Sequence, residues 1–276
     1  MIDRQDSPHA NPMYVADLGS HSIKLYRRLG DGVKMQKTHA WQVLKWPANG
    51  AYHHKVGIYL DELMSGLREG DGVVAVATAA FRNRMDLSTA ARLACAERGI
   101  PLEILEHDSE AELLAKTINA DPNLEGLIGV NVGGGSIQLA IGEQRHLLSV
   151  GIMDLTKRFL LDGLPSERLV ADCTDWVVSQ MPPWSGPFAY LGDELTYLMS
   201  FGVPVEEGWC HVSDFKHFAN KLNSLPMDEL MKRSPFDPGW MSGAIGSNCI
   251  VQALLRSFGT ERFRPVNANI GHAVFI

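Results

Sequence analysis

Two short glycine-containing segments carry the residues whose types and spacing could hold a phosphate group. Residues 17–25 read DLGSHSIKL and residues 131–139 read NVGGGSIQL. Aligned, the segments share a glycine at the third position, a serine at the sixth, an isoleucine at the seventh and a leucine at the ninth. The first residue is Asp17 in one segment and Asn131 in the other. This match indicates an internal repeat.

A strand, a glycine turn and a second strand expose backbone N–H groups with no side chain in the way, which suits an anion such as phosphate. The predicted phosphate ligands are the glycines and hydroxyls of both turns: Gly19, Ser20, Ser22, Gly133, Gly134, Gly135 and Ser136. Asp17 follows an apolar strand and could hold a hydrated Mg²⁺ against the phosphate. The alternative is that the glycines only make tight hairpins, which a matched pair of segments disfavours.

The elements that must position these turns repeat as well. Residues 13–122 predict the order β-β-β-α-β-α-β-α, and residues 123–276 start over with three strands followed by helices, a buried strand and a long late helix. We therefore expect two copies of one α/β unit facing each other across a cleft, joined by a hinge at residues 119–126. Residues 1–12 are polar and predict a flexible tail.

Composition and charge limit the kinds of molecule that this protein is expected to bind. The net charge of −7 over 276 residues is spread without basic blocks, so bulk electrostatics does not recruit nucleic acid. No apolar run approaches the roughly 20 residues that span a membrane. The 4 cysteines are far apart and form no C-x-x-C pair, which disfavours a disulfide framework and fits the cytoplasm. The expected partner is a phosphorylated small molecule, and a homodimer is compatible with the sequence.

Four blocks occur in the order found in one phosphatase family. They read DLGSHSIKL from Asp17, AVATAAFRNR from Ala75, LEHDSEAELL from Leu105 and VNVGGGSIQLAIG from Val130. Together they resemble the exopolyphosphatase and guanosine pentaphosphate phosphatase (Ppx/GppA) family of the actin, hexokinase and Hsp70 superfold. The resemblance implies an α/β fold of two ribonuclease H-like (actin-like ATPase) domains, and Mg²⁺-dependent hydrolysis of a phosphoanhydride or phosphate ester.

The resemblance also implies roles for individual residues. Asp17 would help to hold the metal and act in catalysis, and Glu110 would orient or deprotonate the attacking water. Thr78 and Arg82 would contact phosphate. Two alternatives stay open from the residues themselves: Arg82 could be a solvated surface charge, and Glu110 an exposed acid in the first turn of a helix.

Two positions on the expected metal side depart from the family pattern. Asn131 stands where the family has aspartate, and Gln138 where it has glutamate. An amide keeps the shape of the acid but takes no proton at neutral pH and adds no negative charge for a divalent ion. These residues therefore predict a weakened metal site at Asp17, Asn131 and Gln138. The arginine of the family's Gly-Leu-Arg-Glu-Gly segment is also missing from residues 269–273.

Three functions remain open on this sequence. In the first, other acids restore the lost charge and the cleft hydrolyses an altered substrate; the candidates are Asp193 and Glu194, with Glu106 and His107. In the second, the cleft binds a phosphorylated ligand or nucleotide without turnover and serves regulation. The third, a small-molecule kinase, rests on the shared superfold alone.

Overall fold

The structure is a computed structural model that describes residues 13–30, 32–68 and 70–275. The tail predicted at residues 1–12 lies outside the described residues. The strands are β1 (Tyr14–Leu18), β2 (Ser22–Leu29), β3 (Gly32–Ala40), β4 (Val73–Ala77), β5 (Leu102–Ile104), β6 (Ile128–Val132), β7 (Ile137–Ile141), β8 (Gln144–Leu148), β9 (Phe188–Leu191), β10 (Cys210–His211) and β11 (Arg262–Val266).

The helices lie between and after these strands. They are α1 (His53–Met64), α2 (Ala79–Asn83), α3 (Met85–Ala96), α4 (His107–Ala120), α5 (Ile152–Arg158), α6 (Glu167–Gln180), α7 (Glu194–Ser200), α8 (Val212–Asn223), α9 (Met227–Lys232), α10 (Ala244–Ser257) and α11 (Ile270–Ala273). Short 3₁₀ turns occur at Val43–Lys45, Pro122–Leu124 and Pro238–Gly243.

The strands form two sheets with the same plan. The first has the order β3-β2-β1-β4-β5, and the second has the order β10-β11-β9-β6-β7-β8. In each sheet an antiparallel three-strand meander comes first, and its first strand then pairs in parallel with the strand that follows a helical connection. This confirms the predicted repeat and the fold class of two ribonuclease H-like domains.

Burial explains why the central strands are so apolar. All but one of the five residues of β1 are buried, and so are all four residues of β9. Helices α1 and α3 cover one face of the first sheet around Leu60 and Phe81, which are almost fully buried. Helices α6, α8 and α10 cover one face of the second sheet around Phe188 and Phe215. Each sheet therefore has its own hydrophobic core.

The other faces of the two sheets share their covering elements. Helix α4 contacts β6 and β7 of the second sheet, whereas α11, at the end of the chain, contacts α4 and β1 of the first. Phe275 packs with Val15 and Tyr26 on the first sheet. Helix α4 and the C-terminal segment thus cross between the halves, and the boundary expected at residue 122 stays a prediction.

Two segments differ from the expectations. The apolar run at residues 72–80 predicts one continuous strand. In the structure the strand ends at Ala77 and α2 begins at Ala79, because Thr78 turns the chain and Ser20 Oγ accepts the N–H of Ala80 at 3.1 Å. No elements were predicted for residues 193–239, where α7, β10, α8 and α9 lie, or after residue 259, where β11 and α11 lie. The four cysteines are free and buried, and no helix among the described residues is long and apolar enough to cross a membrane.

Candidate phosphate site between the two hairpins

The two glycine turns have the same backbone geometry. In the first, the N–H of Gly19 donates to the carbonyl of Ser22 at 3.0 Å, and in the second the N–H of Gly133 donates to the carbonyl of Ser136 at 2.9 Å. The repeat seen in the sequence is therefore a repeat in hydrogen bonding, and each turn closes a hairpin between two strands of its sheet.

Elements behind the turns hold the carbonyl groups. In the first turn the N–H groups of residues 41–43 donate to the carbonyls of Ser20 and His21, and in the second the start of α5 donates to those of Gly133 and Gly134. Within the described part of the chain, the N–H groups of Ser20, His21, Gly134 and Gly135 donate to no backbone carbonyl. Successive free N–H groups of this kind suit an anion.

The turns touch each other, and a side chain at Gly134 would collide with the backbone of the first turn. A Cβ atom on Gly134 would lie 2.9 Å from the backbone nitrogen of His21, and one on Gly135 would lie 3.1 Å from Ser20 Oγ. Behind the second turn, a Cβ on Gly151 would lie 2.4 Å from the Gly133 carbonyl oxygen. Such distances exclude any side chain at Gly151 without movement of the backbone.

A cavity of about 120 Å³ lies between the hairpins. A cavity of roughly 10–15 Å³ is enough for one buried water molecule. A cavity of about 120 Å³ therefore has room for a phosphate group. Twelve of the thirteen predicted site residues line it: Asp17, Gly19, Ser20, Ser22, Thr78, Glu110, Asn131, Gly133, Gly134, Gly135, Ser136 and Gln138. The thirteenth, Arg82, is not among the lining residues.

Glu110 sits at the centre of a buried hydrogen-bond network. Gln138 Nε2 donates to Glu110 Oε2 at 2.5 Å and to Ser136 Oγ at 2.8 Å, and Asn131 Nδ2 donates to Gln138 Oε1 at 2.7 Å. The Glu110 side chain is buried, and burial raises its pKa to about 7 against the opposing effect of Arg82. With a pKa near 7 both the protonated and the ionised form of this carboxyl are populated at neutral pH, whereas an exposed glutamate is almost entirely ionised there.

Arg82 lies behind Glu110. Its guanidinium donates to Glu110 Oε1 at 3.3 Å and to the carbonyl of Leu105 at 2.5 Å, and it pairs with His107 Nδ1 at 2.8 Å. These contacts hold the start of α4, which carries Glu110. The guanidinium is thus largely engaged by protein groups, and its contact with phosphate stays a prediction.

A lysine that the sequence analysis did not single out lies beside Asp17. In the first hairpin Asp17 pairs directly with Lys24 across β1 and β2, just as Asn131 pairs with Gln138 across β6 and β7. Lys24 Nζ lies 2.5 Å from Asp193 Oδ2, at the start of α7 in the other half. The sequence repeat could have indicated this lysine as a site residue, because Lys24 aligns with Gln138.

The acids considered as replacements are placed differently from one another. Asp193 and Glu194 are buried and line the cavity. Burial, together with the negative charge of the neighbouring Asp193, raises the pKa of Glu194 to about 8. Glu106 is exposed, and His107 pairs with Arg82; neither is among the lining residues.

The residues present do not fit a divalent cation well. The family resemblance implies a divalent metal, yet the described residues contain no group of three or more His, Cys, Asp or Glu that could hold one. Asn131 and Gln138 are neutral and bind each other. Burial raises the pKa of Asp17 to about 6, and its near neighbour Lys24 is a cation. Mg²⁺ is usually bound through one or two carboxylates together with waters and substrate phosphates. Here Asp17 is the one carboxylate of the expected metal set, and it lies opposite the ammonium of Lys24.

The fold and the paired turns define an actin-like α/β protein with two ribonuclease H-like domains. A solved exopolyphosphatase from Cytophaga hutchinsonii is similar with a TM-score of 0.74 and 15% identity over 95% of each chain. A solved PPX-GPPA enzyme from Aquifex aeolicus is similar with a TM-score of 0.70 and 16% identity over 95% of this chain and 97% of that chain. No curated protein sequence matches this chain.

The sequence itself identifies the family. Residues 59–202, more than half of the chain, match the model of the Ppx/GppA phosphatase family. The chain therefore belongs to this family, as the four sequence blocks indicated.

Proposed function

We propose that this protein hydrolyses a phosphoanhydride or phosphate ester of a small phosphorylated molecule held in the cleft. The observation that carries the proposal is Glu110, a buried carboxyl with a pKa raised by burial to about 7, on the wall of a cavity lined by both glycine turns. A general base is most effective when its pKa lies near the working pH.

In the proposed reaction the backbone N–H groups of the two turns hold the phosphate. Glu110 takes a proton from water as the water oxygen attacks phosphorus. The bond from phosphorus to the leaving oxygen breaks, and the leaving oxygen departs as an anion that takes a proton from solvent. Glu110 then returns the proton that it took from the attacking water to solvent. Arg82 and Gln138 keep Glu110 in place through the contacts at 3.3 and 2.5 Å. No step is assigned to a metal ion, because the donor set does not fit one.

A second candidate function is binding without turnover. It is favoured by the amide of Gln138, which donates to Glu110 Oε2 at 2.5 Å and so occupies the oxygen that would take the proton. In that case the protein serves as a regulatory module that binds a phosphorylated ligand in the cleft without hydrolysing it. A small-molecule kinase has no specific observation in its favour.

The test is phosphate release from pyrophosphate, guanosine tetra- and pentaphosphate, ATP, polyphosphate and simple phosphate esters. We expect release from at least one short substrate, and loss of about 10²–10⁴-fold in kcat for Glu110→Gln with KM little changed. Glu112→Gln, an exposed change on the same helix, is the matched control. Ligand-induced thermal stabilisation without release would favour the binding module, and an unchanged kcat in Glu110→Gln would refute the role of Glu110.

A further inference from the structure

The cleft contains a cation that belongs to the protein. Lys24 lies on β2 directly opposite Asp17 on β1, so both side chains stand on the same face of the first sheet. Its ammonium reaches across to Asp193 at 2.5 Å, and both groups are nearly buried, with 13% and 8% of their side chains exposed. The ammonium of Lys24 is therefore near two carboxylates, Asp17 from the first half of the chain and Asp193 from the second half.

Electrostatics keeps this ammonium charged. Burial alone would lower the pKa of Lys24, but the carboxylates of Asp193 and Asp17 outweigh burial, and the pKa is raised. A divalent ion at Asp17 would lie next to this positive charge, and repulsion between like charges is strong in a partly buried site.

The second hairpin offers no compensation for that repulsion. At the position that corresponds to Asp17 and Lys24 it carries Asn131 and Gln138, whose amides are joined at 2.7 Å. Both are neutral, and the Gln138 oxygen already accepts a hydrogen bond. The second hairpin therefore adds no carboxylate ligand for a divalent ion, and Lys24 is the cation that lies beside Asp17 and Asp193.

We propose that the ammonium of Lys24 takes the place of a divalent cation in this cleft, so that phosphate is bound between the glycine turns without metal. The inference rests on the proposed function only in placing phosphate in the cleft; it does not require turnover. The ligand class is a phosphate monoester or anhydride that arrives without a bound metal ion, rather than a metal–nucleotide complex.

Binding of inorganic phosphate by calorimetry, in EDTA and in excess MgCl₂, tests the proposal on the full chain. We expect the two dissociation constants of the wild type to agree within about twofold. Lys24→Met should weaken binding in EDTA by about tenfold or more, because it removes a charged partner of the phosphate. Mg²⁺ should then restore part of the affinity, since Asp17 and Asp193 would lack their counter-charge.

Lys221→Met, at an exposed position on α8, is the matched control and should bind as the wild type does. Wild-type binding that appears only with Mg²⁺ would overturn the role of Lys24 and leave the phosphate site intact. Absence of binding in both buffers would instead refute the phosphate site itself. If Lys24→Met does not fold, the comparison of the two buffers on the wild type still decides the question.

Discussion

Replacing Gln138 with glutamate tests the buried network directly. In the wild type the side-chain amide donates to Glu110 at 2.5 Å and to Ser136 at 2.8 Å. Gln138→Glu has nearly the same shape but removes the donor, and it brings a second carboxylate against Glu110. A lost hydrogen bond to a charged group costs about 1.5–3 kcal/mol. At pH 8, where both acids tend to ionise, we expect destabilisation of about 2 kcal/mol or more.

The effect should depend on pH in a defined direction. Two adjacent buried acids raise the pKa of one of them, so the folded state holds a proton that the unfolded state releases above its pKa of roughly 4.3. That proton restores an O–H donor between the two groups. The destabilisation should therefore be small at pH 5 and should grow as the pH rises through 7.

Thermal melting of both proteins at the two pH values measures this difference. At roughly 2–4 °C per kcal/mol for proteins near this size, the melting temperature should fall by about 4–8 °C at pH 8 and by much less at pH 5. Gln144→Glu, at an exposed position of β8, controls for the added charge. An equal fall at both pH values would refute the pairing of Gln138 with Glu110.

Two further changes probe other parts of the cleft. Glu194→Gln should raise the free energy of unfolding by about 2–5 kcal/mol at pH 9 and hardly at all at pH 4. The reason is that the pKa of about 8 leaves this buried acid neutral at low pH and charged at pH 9. Chemical denaturation at both pH values measures the difference, and a gain in stability at pH 4 would contradict the prediction. Gly134→Ala should weaken binding of inorganic phosphate by about tenfold or more, since its Cβ would lie 2.9 Å from the His21 nitrogen; calorimetry showing unchanged affinity would contradict the contact between the turns.

The hairpins were predictable from the sequence because local patterns determine them. Glycine turns between alternating apolar residues predict the same paired strands wherever they occur. The repeated order also predicted that the two turns would meet, and Ser20 does lie against Gly135. In the same way, the four family blocks predicted the α/β fold of two domains.

Contacts between the halves were not predictable in this way. Lys24 and Asp193 are separated by 169 positions, and their pairing depends on how closely the two domains approach. The direction of Arg82 depends on the carbonyl of Leu105 and on His107 at the start of α4, which no local pattern encodes. Helix α8 was missed although its buried residues Phe215, Phe218 and Leu222 have helical spacing, so the sequence did carry a signal for it. Strand β10 has only two residues and carries no readable pattern.

The contacts of residues 269–275 with the first sheet have a consequence for the order of folding. Phe275 packs with Val15 and Tyr26, and the side chain of Asn269 donates to the hydroxyl of Tyr26. Tyr26 and Asn269 are 243 positions apart, so this contact closes a very long loop of chain. Contacts of such long separation in sequence form slowly, because the loop-closure entropy is lost before the contact stabilises the chain. The first sheet therefore cannot bury this face through local folding alone, and a fragment that lacks residues 269–275 should expose Val15 and Tyr26, which are fully buried in the structure.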